Sequence, residues 1–351
     1  MTEVTIFAPS PIVTVTVEDH ADGPEIHIHA GGQGVWQARM LVRLGVPVTM
    51  CCVLSGELGV VARHLLEDEG IDVRAVTREG RGAAYLHDRR DGERREVATE
   101  PGDPLGRHVL DELYGIVLGH AMHSSATILS GPADRSTLPA DTYRRLAADL
   151  RAAGATVVVD LAGERMAAAL AGGVDVLKVS DEELEADGLI EAGDEIAAVI
   201  AAMHGLRDRG ARAVVVTRAG EPFLLADDHG VLEVTPPRLE VADHRGAGDS
   251  LLAGVVAGLA RGEGLREALT LGAAAGALNV TRHGLGTGGG EAVAGLRERV
   301  TARMLSVAGA EQAVSGRVTP EGLALLAGET GSVPRQPEGG AATAPGRSAI
   351  I

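Results

Sequence analysis

The stretch Val35–Val76, VWQARMLVRLGVPVTMCCVLSGELGVVARHLLEDEGIDVRAV, decides the architecture. It begins with an amphipathic helical pattern from about Val35 to Leu44 and continues as the apolar run Val46–Leu54. A second helical pattern, Val60–Glu69, ends at Gly70, a residue suited to closing a helix. Ile71–Val76 then reads as another strand. The same rhythm continues on both sides. Val4–Ala8 precedes it, and Ala126–Leu129, Thr156–Asp160, Val174–Leu177 and Ala213–Thr217 follow as short β-branched runs. Helical patterns such as Pro139–Ala153 and Glu195–Arg209 separate them. Strand and helix alternating at this spacing argue for an α/β fold, a mostly parallel sheet covered by helices.

Two regions depart from that rhythm. Ile12–Glu18 with Glu25–His29, and Ala83–His87 with Arg94–Ala98, alternate apolar and polar residues. The charged segment Asp88–Glu93 reads as a hairpin turn between the last two. Together they predict a small antiparallel sheet beside the main domain, either a lid over a site or a decorative layer. From Asp249 to about Ser306 the pattern is helical, and from about residue 331 the chain is rich in Gly, Pro, Ala and Ser and reads as disordered. These patterns divide the chain into a main domain over 1–305, carrying the lid strands as insertions, and a C-terminal extension over 306–351.

The 351 residues carry 32 Lys and Arg against 49 Asp and Glu, a net charge of −17, which argues against nucleic acid and anionic membrane as partners. Aromatic residues, at 2%, are too few for base-stacking platforms. Cys51 and Cys52 are adjacent, so on a strand they point to opposite faces, and they read as buried small hydrophobes in a reducing cytoplasm. The N-terminus shows no signal-peptide pattern, and no apolar run is long enough to span a membrane. None of the twelve histidines has metal-ligand spacing along the chain: His120 and His123 could share a helix face but lack further partners. His27 and His29 share one strand face, toward either solvent or substrate.

The strongest chemical signal is Asp243-His244-Arg245-Gly246-Ala247-Gly248-Asp249-Ser250, which opens directly into the apolar helix Leu251–Arg261. Free backbone N–H groups at a helix start suit a phosphate, and glycines admit close approach. Asp249 in that first turn could accept a proton from an attacking hydroxyl, or could be an N-terminal carboxylate favoured by the helix dipole. Ala30-Gly31-Gly32-Gln33-Gly34-Val35-Trp36 is a second glycine turn before a helix, either a substrate contact or a tight connection.

These two segments resemble the paired signatures of the PfkB (ribokinase-like) carbohydrate kinases, most of all the 1-phosphofructokinase-like branch. Ordered similarity runs from about Val4 to Arg297 through Arg95–Leu105, Ser130-Gly131-Pro132, Leu177–Leu184 and Asn279–Gly284. The resemblance implies a Rossmann-like α/β/α domain with a β-lid, ATP as donor, Mg2+ as cofactor and a sugar or sugar phosphate as acceptor. It implies that Gly246, Ala247 and Gly248 form an anion hole and that Asp249 is the base. Lys178, Ser180, Glu183, Thr217, Gly220 and Asn279 fall on the nucleotide side, with Glu183 also organising the metal. Ser180-x-x-Glu183 is at the same time a capping box. Gly31, Gly32, Gln33, Arg81 and Ser130 fall on the acceptor side. Departures cluster there: Ala8-Pro9-Ser10-Pro11 lacks the usual Asp, Gln33 stands for Lys, Trp36 for Asn and Ala83 for Asn. In the nucleotide loop Ala219 and Pro222 take glycine positions. Alternatives are a non-catalytic sugar or nucleotide sensor, or a kinase for a nucleoside or other alcohol. A homodimer formed through the lid is the expected assembly.

Overall fold

The computed structural model describes residues 2–305, except 22, 133, 135, 241–243 and 282–284. The expected C-terminal extension and its tail lie outside the described residues. In chain order the elements are β1 (Val4–Phe7), β2 (Ile12–His20), β3 (Gly23–Gly31), α1 (Gln33–Arg43), β4 (Val48–Ser55), α2 (Gly56–Asp68), β5 (Asp72–Arg78), β6 (Ala83–Asp88), β7 (Arg95–Glu100) and α3 (Arg107–Ala121). There follow β8 (Ala126–Ser130), α4 (Asp141–Ala152), β9 (Val157–Asp160), α5 (Gly163–Gly172), β10 (Val174–Ser180), α6 (Asp181–Ala186), α7 (Ile196–Asp208) and β11 (Ala211–Arg218). The last are β12 (Glu221–Asp227), β13 (Gly230–Thr235), α8 (Ala247–Ala260), α9 (Leu265–Asn279), α10 (Gly290–Arg297) and β14 (Thr301–Leu305).

Ten strands form the main sheet in the order β14-β13-β12-β11-β10-β9-β8-β1-β4-β5. From β5 to β11 every pairing is parallel, and β11 to β14 pair antiparallel. The inner parallel strands β1, β4, β8 and β9 are buried along their whole length because helices cover both faces, whereas the edge strand β5 exposes Asp72, Arg74 and Thr77. Apolar residues of α1, α2, α8, α9 and α10 fill one face, and those of α3, α4, α5 and α7 fill the other. Cys52 belongs to the first core and Cys51 to the second, as the alternation of a strand requires. Burial pushes the Cys51 thiol up to about 12, so it behaves as an inert apolar group.

The helical expectation for the end of the domain fails at Thr301–Leu305, which is a strand. Its five residues are too few to show a period, and their pairing with β13, Val231 opposite Leu305 through Thr235 opposite Thr301, satisfies backbone groups that would otherwise form an open edge. The β12–β13 hairpin also went unforeseen. The lid strands form a separate sheet in the order β3-β2-β6-β7. It consists of two antiparallel hairpins joined by a parallel pairing of β2 with β6.

Helices α8 and α9 are apolar almost all round and lie backbone to backbone. A Cβ on Gly254 would stand 2.7 Å from the Gly272 Cα, and one on Gly258 would stand 2.6 Å from the Ala268 Cβ. A Cβ on Gly276 would come within 3.0 Å of the Ala247 carbonyl oxygen, so α9 also fixes where α8 begins. The same substitution should therefore act with opposite sign at two helical glycines. Gly254→Ala inserts a methyl against backbone and should cost about 1–3 kcal/mol in urea unfolding. Gly115→Ala, on the exposed side of α3 with open space around it, should stabilise by about 0.5–1 kcal/mol. Equal effects of the two would contradict the close helix crossing.

Candidate active site

Three neighbouring parallel strands end in one row. Ser130 of β8 lies opposite Asp160 of β9, and Asp160 lies opposite Lys178 of β10. Clefts beyond the C-terminal ends of parallel strands are where α/β folds gather ligands, because helix N-termini converge there. Here α1 contributes Gln37 and α8 contributes Asp249, both buried.

The side chains form one connected array. The Lys178 Nζ donates to Asp160 Oδ1 at 3.0 Å. The Gln37 Nε2 donates to Asp160 Oδ2 at 3.1 Å and to Asp249 Oδ1 at 3.2 Å. Ser130 Oγ in turn donates to Gln37 Oε1, while the Ser130 carbonyl accepts from Tyr143. Burial, and after it the charge of Asp160, pushes Asp249 up to about 7, against the pull of Lys178 and Gln37. Burial likewise raises Asp160. Burial opposes the charge on Lys178, yet Asp160, Glu183 and Asp249 together outweigh it and hold the ammonium above its ordinary range.

The start of α8 is built to meet an anion. Gly246 is the N-cap in the left-handed region, φ 68°, a conformation that favours glycine. The N–H groups of the first turn have no carbonyl one turn back to receive them. Lys178 reaches the same turn: a Cβ on Gly248 would lie 2.9 Å from its Nζ. Ala247 and Gly248 therefore present backbone amides beside an ammonium, with Asp249 one residue on. Asn279 acts on this loop from within, donating to the Arg245 carbonyl at 2.6 Å and accepting from the Gly286 amide at 2.9 Å. Of the expected adenine-side loop, 282–284 lie outside the described residues.

On the expected nucleotide side, Ser180 and Glu183 form the reciprocal capping box at the start of α6. Ser180 donates to Glu183 Oε2 from its backbone N at 2.7 Å and from its Oγ at 3.0 Å. Thr217 lies beside Ser180 in the β10–β11 register. In the turn after β11, Ala219 has φ 38°, the one positive value at a non-glycine among the described residues, where the family pattern has glycine. Gly220 has open space around it.

The acceptor-side candidates are more dispersed. Gly31 ends β3, and Gly32, φ 106°, is the N-cap of α1. Gln33 Oε1 accepts from the Gly131 amide at 3.0 Å. Ser130 is fully buried, its hydroxyl committed to Gln37. Arg81 is exposed and paired with Asp103 at 3.0 Å and Glu100 at 3.4 Å. It lines a narrow cleft at the lid root with Ser10, Arg78 and Gly82. A neighbouring cleft of about 70 Å³ is lined by Ser10, Tyr85, Thr99 and Asp134 among others. Asp249 lines neither cleft. Trp36 is half-buried.

Sequence reasoning missed Asp160, Gln37 and Tyr143. Asp160 was legible only as the polar end of an apolar strand, and Gln37 only as a polar residue on the apolar stripe of α1.

The pfkB family carbohydrate kinase model matches residues 3–290. The chain is 31% identical over 236 residues to the 1-phosphofructokinase of Xanthomonas campestris, covering 66% of this chain and 73% of that protein. It is 30% identical over 257 residues to the ATP-dependent 6-phosphofructokinase isozyme 2 of Mycobacterium tuberculosis, covering 70% and 73%. Among solved structures, phosphofructokinase-2 of Escherichia coli superposes with a TM-score of 0.75 at 24% identity, covering 85% of this chain and 99% of that one. Ribokinase of Arabidopsis thaliana gives 0.66 at 18%, covering 84% and 98%. These two share the fold, with its large mostly parallel sheet and small separate sheet. With the family match running over 288 residues and through every strand of the described row, this chain belongs to the PfkB family of carbohydrate kinases.

Proposed function

We propose that Asp249 is the base of an ATP-dependent transfer to a sugar or sugar-phosphate hydroxyl, and that the first turn of α8 with Lys178 receives the transferring phosphoryl group. The observation that carries this reading is the array Ser130–Gln37–Asp249/Asp160–Lys178, which holds a buried carboxylate beside an anion-binding helix start. Asp249 accepts the hydroxyl proton as the oxygen attacks the γ-phosphorus. The new P–O bond forms as the bond to the bridging oxygen of the leaving ADP breaks. The amides of Gly246, Ala247 and Gly248 and the Lys178 ammonium meet the charge on the phosphoryl oxygens. Gln37 holds the carboxylate in place.

Three carboxylates, Asp160, Asp249 and Glu183, stand around one ammonium, an excess of negative oxygen that fits a hard divalent cation. Glu183 would help to hold Mg2+, which would supply neutralisation of the nucleotide phosphates when bound. Thr217, Gly220 and the turn at Ser180 flank the nucleotide, and Asn279 orders its loop. Gly31, Gly32 and Gln33 face the acceptor, with Arg81 at the lid root for an acceptor phosphate. The exposed Ile26, Ile28 and Val97 on the outer lid strands make a second copy of the lid the partner for a homodimer. Among the described residues no helix is long and apolar enough to cross a membrane.

Three measurements test this. Asp249→Asn should lower kcat with Mg-ATP by about 10²–10⁴-fold across a panel of ketoses, aldoses and their phosphates. Turnover that survives would remove Asp249 as the base. Protonated Asp249 cannot accept a proton, so kcat/KM should fall as pH drops through about 7. The Gln37 bond favours the ionised form, so Gln37→Leu should move this acid limb to higher pH. A limb that stays in place, or moves down, contradicts the Gln37–Asp249 contact. Sedimentation should show wild type as a dimer and Ile26→Asp/Ile28→Asp as a monomer, whereas an unchanged dimer would place the interface elsewhere.

A further inference from the structure

The far end of the β2–β3 hairpin takes no part in phosphoryl transfer, yet it concentrates four metal-ligating side chains. Each strand carries a Glu-x-His triplet, Glu18-Asp19-His20 and Glu25-Ile26-His27. In the antiparallel register Glu18 lies directly opposite Glu25, His27 opposite Thr16, and His20 opposite Gly23. Residues two apart on a strand share a face, so the two triplets present both carboxylates and both imidazoles on the same side. No histidine spacing along the chain announces this group, because half of it comes from each strand.

The donor atoms are close. Those of Glu18, His20 and His27 all lie within 4.8 Å of one another. Glu25 Oε2 stands 3.3 Å from His20 Nε2 and 3.8 Å from His27 Nε2. Zinc bonds of about 2.0–2.2 Å to nitrogen and oxygen place neighbouring tetrahedral donors about 3.4 Å apart, a spacing that small side-chain rotations reach from here. Directly opposed carboxylates on paired strands repel one another. Arg89 relieves this in part, its Nη1 standing 3.4 Å from Glu18 Oε1. A divalent ion at the centre would relieve it for both. Two imidazoles with two carboxylates select an imidazole-seeking transition metal over Mg2+ or Ca2+, which prefer oxygen alone.

We infer that His20, His27, Glu18 and Glu25 form a binding site for a divalent transition metal of the zinc class, separate from the phosphoryl-transfer site, which clamps the two strands at the end of the lid. His20 and His27 are both largely exposed, so replacing them leaves the fold intact, which circular dichroism verifies.

The test is a Zn2+ titration of the untagged full-length chain, stripped with chelator and read by competition with a chromophoric chelator. Metal content is counted by atomic absorption. Wild type should bind one Zn2+ at the lid, and Glu183→Gln should keep it. His20→Ala/His27→Ala should weaken that binding by more than the ~10–100-fold that loss of an outer partner costs a metal site. Turnover of the double variant with Mg-ATP should equal that of wild type, which separates this site from the kinase reading. The inference is overturned if wild type takes up no Zn2+, if the double variant binds it undiminished, or if the bound ion is lost in Glu183→Gln instead.

Discussion

Two carboxylates buried side by side, with one ammonium between strands to answer them, set the terms for this structure. Asp160 and Asp249 cannot both carry full charge away from water on the strength of Lys178 alone: burial raises both, with the charge of Asp160 adding to it at Asp249 and that of Glu183 adding to it at Asp160. Gln37 makes the arrangement tenable. Its amide nitrogen has two hydrogens, and each goes to a different carboxylate. Its oxygen accepts from Ser130, so the amide has a single acceptable orientation: turned over, it would set oxygen against two carboxylates. Three strand ends and two helices must meet within hydrogen-bond distance for this to hold, and that meeting point is the candidate site.

The helix crossing of α8 with α9 serves the same point from behind. Glycine and alanine along both helices let the backbones approach to contact, and α9 presses on the carbonyl of Ala247 where α8 begins. The position of the anion-binding amides is therefore inherited from core packing. Asn279, at the end of α9, adds polar ties to the loops on either side.

What was legible in the sequence follows from how far apart the determinants lie. Buried parallel strands announce themselves as apolar runs, and Val46–Leu54 is found as such. Asp249 stands in a local glycine turn before an apolar helix, and the Ser180–Glu183 capping box is three residues long, so both are readable in place. Gln37 and Asp160 acquire meaning only when α1 and β9 converge, since 123 residues separate them. The β12–β13 hairpin and the short strand β14 were missed because antiparallel pairing at a sheet edge needs little periodic pattern. The ion pairs of Arg81 were not legible, because its carboxylate partners Glu100 and Asp103 lie about twenty residues on.

The lid hangs from the main domain by four chain crossings. One is the rigid Pro9-Ser10-Pro11. The other three each hold a glycine with positive φ: Gly32 at 106°, Gly80 at 112° and Gly102 at 77°. Arg81 and Asp103 rivet the latter two crossings to each other, and the parallel pairing of β2 with β6 makes the four strands one plate. Such a plate cannot bend strand by strand. Its displacement has to be taken up as rotation at a few glycine torsions about a proline-stiffened pivot. A shift of any one of these strands would therefore carry the other three with it, and it would reach both clefts at the root, which share Ser10 and Ala83.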